Sequence, residues 1–96
     1  MKIKKILKNK RNEILELAKI HGAYKVRIFG SVARGEDDDQ SDIDFLIRMK
    51  AGRTLLDMGG FLTDLESLLG RPVDVVTENG LRDRIRERVL REAVPL

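Results

Sequence analysis

At 96 residues and a formal net charge of +3, the chain has the length of one domain, residues 1–96, burying about two-thirds of its unfolded surface. It has no cysteine and one histidine, which excludes disulfides, thiolate metal sites, cysteine nucleophiles and a histidine-built zinc centre. No apolar run approaches the ~20 residues of a membrane span, and no signal-peptide core follows the Lys-rich start, so a cytoplasmic protein without membrane contact is expected.

The charge is segregated. Lys2, Lys4, Lys5, Lys8, Lys10 and Arg11 open the chain, Arg82, Arg84, Arg86, Arg88 and Arg91 crowd its end, and an acidic run from Glu36 to Asp44 lies between. The basic runs are either solvated faces or sites for a polyanionic partner, and the acidic run invites a cation.

From Lys2 to about His21, apolar residues at Ile3, Ile6, Leu7, Ile14, Leu17 and Ala18 predict one amphipathic helix, ended by Gly22. His21 reads as a capping or half-buried histidine rather than a ligand. Tyr24 to Phe29 alternates, with Tyr24, Val26 and Ile28 on one face, and predicts a strand. Gly30 ends it, and Ser31 is placed to N-cap a short helix closed by Gly35. Glu36 to Ser41 is too charged to pack and should be a loop.

Asp42 to Met49 predicts a second strand, with Ile43, Phe45, Ile47 and Met49 on one face and Asp42, Asp44, Leu46 and Arg48 on the other. Its second half is apolar on both faces apart from Arg48, so it should be central, with the aspartates at one end. A turn over Lys50 to Arg53 leads to a helix with Leu55, Met58, Leu62, Leu65 and Leu69 in a stripe, widened by Phe61 and Leu68. Gly59 and Gly60 predict a kink in it or a start after them. Gly70 and Pro72 end it. VDVVT, Val73 to Thr77, predicts a third strand, and Leu81 to about Glu92 a last helix with Leu81, Ile85 and Val89 or Leu90 inward. The expected fold class is α/β (α+β), a small mixed three-stranded sheet flanked by helices.

On a strand, Asp42 and Asp44 point to the same side roughly 7 Å apart. At an effective dielectric of 20 they repel by about 2.4 kcal/mol, so the pair either sits solvated at the strand mouth or asks for a cation. Oxygen ligands without sulfur or imidazole favour Mg²⁺ or Mn²⁺, and Mg²⁺ is usually shared between a few carboxylates and substrate phosphates. Upstream, Gly30 allows close backbone approach and Ser31 offers a hydroxyl and an amide, together an anion site if the two strands are neighbours. There is no P-loop pattern. Asp74 interrupts an apolar strand and needs either a salt bridge, to an arginine such as Arg27 or Arg48, or a place in the site. With it, three carboxylates would suffice for two divalent ions. Glu78, Asp57 and Asp64 are weaker candidates for the third acid.

Gly30-Ser31, ten intervening residues and Asp42-Ile43-Asp44-Phe45 resemble the signature of the DNA polymerase beta-like nucleotidyltransferase superfamily. The fuller GSVARGEDDDQSDIDFLI resembles its minimal nucleotidyltransferase branch. The resemblance implies the polymerase beta-like nucleotidyltransferase fold and transfer of a nucleoside monophosphate, most commonly AMP from ATP, to a hydroxyl. It further implies that Asp42 and Asp44 bind two Mg²⁺ ions, that Asp74 binds the nucleophile-side ion and helps deprotonate the acceptor, and that Gly30, Ser31 and Arg34 bind the triphosphate. Arg34 could equally turn to the acidic loop. Members of this branch pair with a HEPN-type toxin and act as its antitoxin, which makes such a toxin the expected acceptor. The alternative is a non-catalytic antitoxin that neutralises its partner by complex formation, docking through the arginine-lined last helix. Specific nucleic-acid binding is not expected, since the chain holds one Tyr, three Phe and no Trp to stack bases.

Overall fold

The computed structural model describes residues 3–96, so Lys2, the predicted start of the first helix, lies outside them. The elements run α1 (Ile3–Asn9), α2 (Arg11–Ile20), β1 (Ala23–Phe29), α3 (Gly30–Arg34), β2 (Ile43–Met49), α4 (Leu55–Leu69), β3 (Val73–Thr77), α5 (Asp83–Glu92) and β4 (Val94–Pro95).

Four strands form the sheet, in the order β3-β2-β1-β4, where three were expected. The fourth is a two-residue edge pairing, with Arg27 opposite Pro95 and Ile28 opposite Val94. So short a strand, half of it proline, carries no periodic signal. Within the sheet, β2 runs antiparallel to β1 and parallel to β3. The N-terminal ends of β2 and β3 and the C-terminal end of β1 therefore meet at one edge, and β2 is central as expected.

The predicted first helix is divided at Lys10, whose backbone (φ −99°, ψ 7°) separates α1 from α2. Between Leu7 and Ile14 there is no apolar side chain, so no core contact holds the axis straight there, and helical persistence depends mostly on such packing. A second departure lies in β1. Tyr24 faces Arg48 while Arg27 faces Leu46, so β1 holds one extra residue, a bulge in which Lys25 takes φ 49°. The bulge changes the parity of the strand. Ala23 joins Val26 and Ile28 in the core, and Tyr24, expected with them, is 44% exposed.

Helix α4 runs unbroken through Gly59 and Gly60. Its start is fixed by Thr54, whose Oγ1 accepts from Leu56 N–H at 3.2 Å while Asp57 Oδ2 accepts from Thr54 N–H at 2.8 Å, a reciprocal cap. Leu55, expected in the buried stripe, is 82% exposed, because it precedes the turn that reaches the sheet. Phe61, Leu65 and Leu69 carry the packing.

The main core lies on one face of the sheet, where Ile43, Phe45 and Ile47 meet Val26, Ile28, Ile14, Val32 and Phe61. On the opposite face Leu46 packs with Leu81 and Val89, flanked by Phe29, Val76 and Ile85. By strand alternation that second face also carries Asp44 and Asp74 towards one end and Arg27 and Arg48 towards the other.

Candidate functional site

Asp44 is directly opposite Asp74 in the parallel pairing of β2 with β3, and opposite Phe29 in the antiparallel pairing with β1. Neighbouring strands are ~4.8 Å apart, so two carboxylates share one face of the sheet at the edge where Gly30 begins α3. Asp42 lies in the exposed stretch just before β2. Among the described residues, no group of three or more metal-ligating side chains is drawn close enough to enclose an ion by itself.

Burial pushes the Asp44 carboxyl up to about 6, reinforced by the negative charges of Asp74, Asp42 and Glu92 and partly offset by Arg34. Asp44 also explains Gly30. The glycine has φ +74°, and a Cβ there would run into Asp44 Oδ2. A side chain at this position is excluded by both backbone and space.

Ser31 was expected to cap α3 but sits within its first turn. Phe29 is the cap residue, and its side chain offers no cap hydrogen bond. The Gly30 N–H donates instead to Glu92 Oε2 at 2.9 Å. Arg34 turns both ways, with Nε 2.5 Å from Glu36 Oε1 and Nη1 2.5 Å from Glu92 Oε1. Burial opposes ionisation of Glu92, but its bonds from Arg34 and Gly30 hold its carboxyl below the ordinary range.

Each weaker candidate for the third acid has a structural partner. Glu78 binds the Arg27 guanidinium at 2.5 Å and Arg48 Nε at 2.9 Å. Asp57 closes the α4 cap and pairs with Arg53 at 3.0 Å. Asp64 Oδ2 lies 2.6 Å from His21 Nε2, which makes His21 a half-buried tie between α2 and α4. With both Arg27 and Arg48 turned to Glu78, the ion pair considered for Asp74 is not formed.

The acidic loop is organised by a residue that sequence patterning passes over. Arg71 Nη2 donates to the carbonyls of Asp38, Asp39 and Ser41 at 3.2, 3.0 and 2.8 Å. Asp38 bonds within its own loop, accepting from Gln40 N–H at 2.8 Å. Glu92 was likewise missed, because its role depends on α5 folding back onto α3. Arg71 beside Pro72 held no periodic signal. A cleft of about 790 Å³ lies at the opposite end of the sheet among Tyr24, Arg48, Arg53 and Arg86 and is lined by none of the site aspartates.

The chain matches the model of the nucleotidyltransferase domain family over residues 1–96. It is 39% identical to MJ0435 of Methanocaldococcus jannaschii, named as a candidate protein adenylyltransferase, over 88% of this chain and 90% of that protein. To the protein adenylyltransferase MntA of Thermococcus cleftensis it is 38% identical, over 82% of this chain and 80% of the relative. A solved structure of a candidate minimal nucleotidyltransferase superposes with a TM-score of 0.87 at 52% identity, covering 96% of this chain and 94% of that one. A chain of a toxin–antitoxin crystal structure with AMP-PNP gives a TM-score of 0.74 at 21% identity, over 88% of this chain and 69% of that one, a likeness of fold. With a family match along the whole length and relatives of this identity, the chain belongs to the nucleotidyltransferase domain family, in its minimal branch, and is an enzyme of that kind.

Proposed function

We propose that the chain forms a single minimal nucleotidyltransferase domain of the cytoplasm that moves AMP from ATP onto a hydroxyl of a partner protein. The partner would be a HEPN-type toxin for which it is the antitoxin. The observation that carries the reading is the register of Asp44 opposite Asp74, with Gly30 packed against the Asp44 carboxylate. The names of the relatives, protein adenylyltransferases among them, support the nucleotide and the protein acceptor.

Enzymes of this family generally use divalent metal ions, and the donor set here fits a hard one. Asp44 and Asp74 face each other across β2 and β3, Asp42 precedes Asp44 by two residues, and neither sulfur nor imidazole is among the donors. Burial, and then the surrounding negative charge, makes Asp44 hold on to its proton. Asp42 and Asp44 would hold two Mg²⁺ ions, or Mn²⁺, with Asp74 on the nucleophile side. Such ions supply neutralisation of the charge that develops on the triphosphate and on the acceptor oxygen. An open arrangement suits Mg²⁺, which takes several of its ligands from water and substrate phosphates.

The chain's own residues then have separate tasks. Asp74, exposed at the mouth of β3, would accept the proton of the acceptor hydroxyl. Ser31 and Arg34 present a hydroxyl and a cation to the leaving pyrophosphate. Gly30 keeps the turn close to Asp44.

Incubation with labelled ATP, Mg²⁺ and a HEPN-type partner should label the partner, and Asp42→Asn with Asp44→Asn should reduce transfer at least ~10³-fold, the scale of losing a catalytic metal site. Transfer that persisted in the double variant would refute the assignment. Neutralisation of the partner without transfer would point to the binding module, acting through Arg84 and Arg88 on α5.

A further inference from the structure

The Gly30 amide has a single hydrogen, and Glu92 Oε2 takes it at 2.9 Å. The other oxygen of the same carboxylate holds Arg34 Nη1 at 2.5 Å. One side chain therefore grips the first and the last residue of α3, a helix of five residues too short to fix its own geometry. Arg34 is held on a second side, by Glu36 at Nε. Among the described residues its Nη2 makes no hydrogen bond, so both hydrogens of that nitrogen remain for another anion.

Glu92 is itself anchored. It closes α5, where Val89 is buried in the second core cluster. Two residues later Val94 pairs with Ile28 on the edge of β1, the strand that leads into Gly30. The carboxylate is thus fixed from both sides in sequence, and its exposure of 17% keeps water from competing for its bonds.

We propose that Glu92 is a positioning residue of the nucleotide site, bracing the Gly30 turn and setting Arg34 with Nη2 free for a triphosphate oxygen. This rests on the reading of Ser31 and Arg34 as the anion-binding residues. It also changes the part of Gly30, which serves by its backbone shape and its clearance for Asp44, while its amide is given to Glu92.

The opposite relation is physically possible. A carboxylate on anion donors could be a rival of the triphosphate, and the sign of one measurement separates the two. ATP binding in Mg²⁺ is titrated calorimetrically for the wild type, Glu92→Ala, Glu92→Gln, Arg34→Ala and the double variant Arg34→Ala/Glu92→Ala, with thermal unfolding recorded for each. A positioning role predicts that Glu92→Ala weakens ATP binding roughly tenfold, the scale of a lost charge-assisted bond. Glu92→Gln should lose less, since its carbonyl still accepts from Gly30. The double variant should bind no more weakly than Arg34→Ala, because the two act as one unit. Leu65→Ala, which opens the main core beneath α4 and touches no anchor of Glu92, should unfold at lower temperature with unchanged ATP affinity.

Equal or tighter ATP binding by the Glu92 variants would overturn the inference while leaving the site assignment standing. So would a loss reproduced by Leu65→Ala. Wild-type protein that bound no ATP, or bound it no better than Arg34→Ala, would overturn the site assignment and the inference with it. If Glu92→Ala does not fold, the near-isosteric Glu92→Gln decides the sign.

Discussion

A single carboxyl, Asp44, shows how the site is held in tension. Its value of about 6 against an ordinary 3.8 arises from burial first and then from Asp74, Asp42 and Glu92. The folded protein therefore binds this proton more tightly than the unfolded chain does. The stability so gained is complete below pH 3.8 and is lost as pH rises through about 6. At neutral pH without metal the ionised Asp44 weakens the fold, so Asp44→Asn should unfold roughly 5 °C above the wild type there. The difference should vanish at acid pH. Added Mg²⁺ should raise the unfolding temperature of the wild type more than that of the variant, because binding to the folded state stabilises it. Circular dichroism melts across this pH range, with and without Mg²⁺, check both effects.

At the scale of elements, neighbouring glycines in α4 behave differently for reasons that propensity cannot see. A Cβ at Gly59 meets nothing within 4 Å, whereas one at Gly60 would lie 2.7 Å from His21 Cε1 and 2.9 Å from Nδ1. Gly59→Ala should accordingly stabilise the protein by ~0.5–1 kcal/mol, the ordinary helical gain. Gly60→Ala should cost ~1–3 kcal/mol by driving His21 from Asp64. Urea unfolding of the two variants measures the contrast, and equal effects would show that His21 yields freely. Other elements also differ from their expected form through contacts distant in sequence. The bulge at Lys25 moved Tyr24 out of the core, and the Glu92 carboxylate took the place at α3 where a Ser31 cap was expected.

Across the whole molecule, one face of the sheet is divided. Asp44 and Asp74 stand at one end, a small apolar cluster occupies the middle, and Glu78 joins Arg27 to Arg48 at the other. Arg86 adds a bond to the Glu78 carbonyl, tying α5 to the end of β3. The Arg48 bond, then that of Arg27, brings the Glu78 carboxyl down from 4.5 to about 2 against the opposing effect of burial. Its contribution to stability is complete above pH 4.5 and is lost as pH falls through about 2. Arg27 is 9% exposed, so removing its partner strands a buried charge. Glu78→Ala should cost ~3–5 kcal/mol at neutral pH. The deficit should shrink in strong acid, as denaturant unfolding at the two pH values would measure. The variant should leave Asp44 and Asp74 in register, since the ion pairs lie at the far end of their strands.

The order of the major elements, the central place of β2 and the run from Gly30 to Asp44 could all be read along the chain, because each rests on local periodicity or on residues close in sequence. The motif from Gly30 to Asp44 also carried the family. Tertiary structure alone decided the division at Lys10, the bulge at Lys25, the edge strand at Val94, the grip of Arg71 on the acidic loop and the placing of Glu92 on α3. These depend on which surfaces meet after folding, and a charged side chain gives no periodic sign of its partner. The place of Asp74 opposite Asp44 was likewise a condition stated from sequence, and only the pairing of β2 with β3 could meet it.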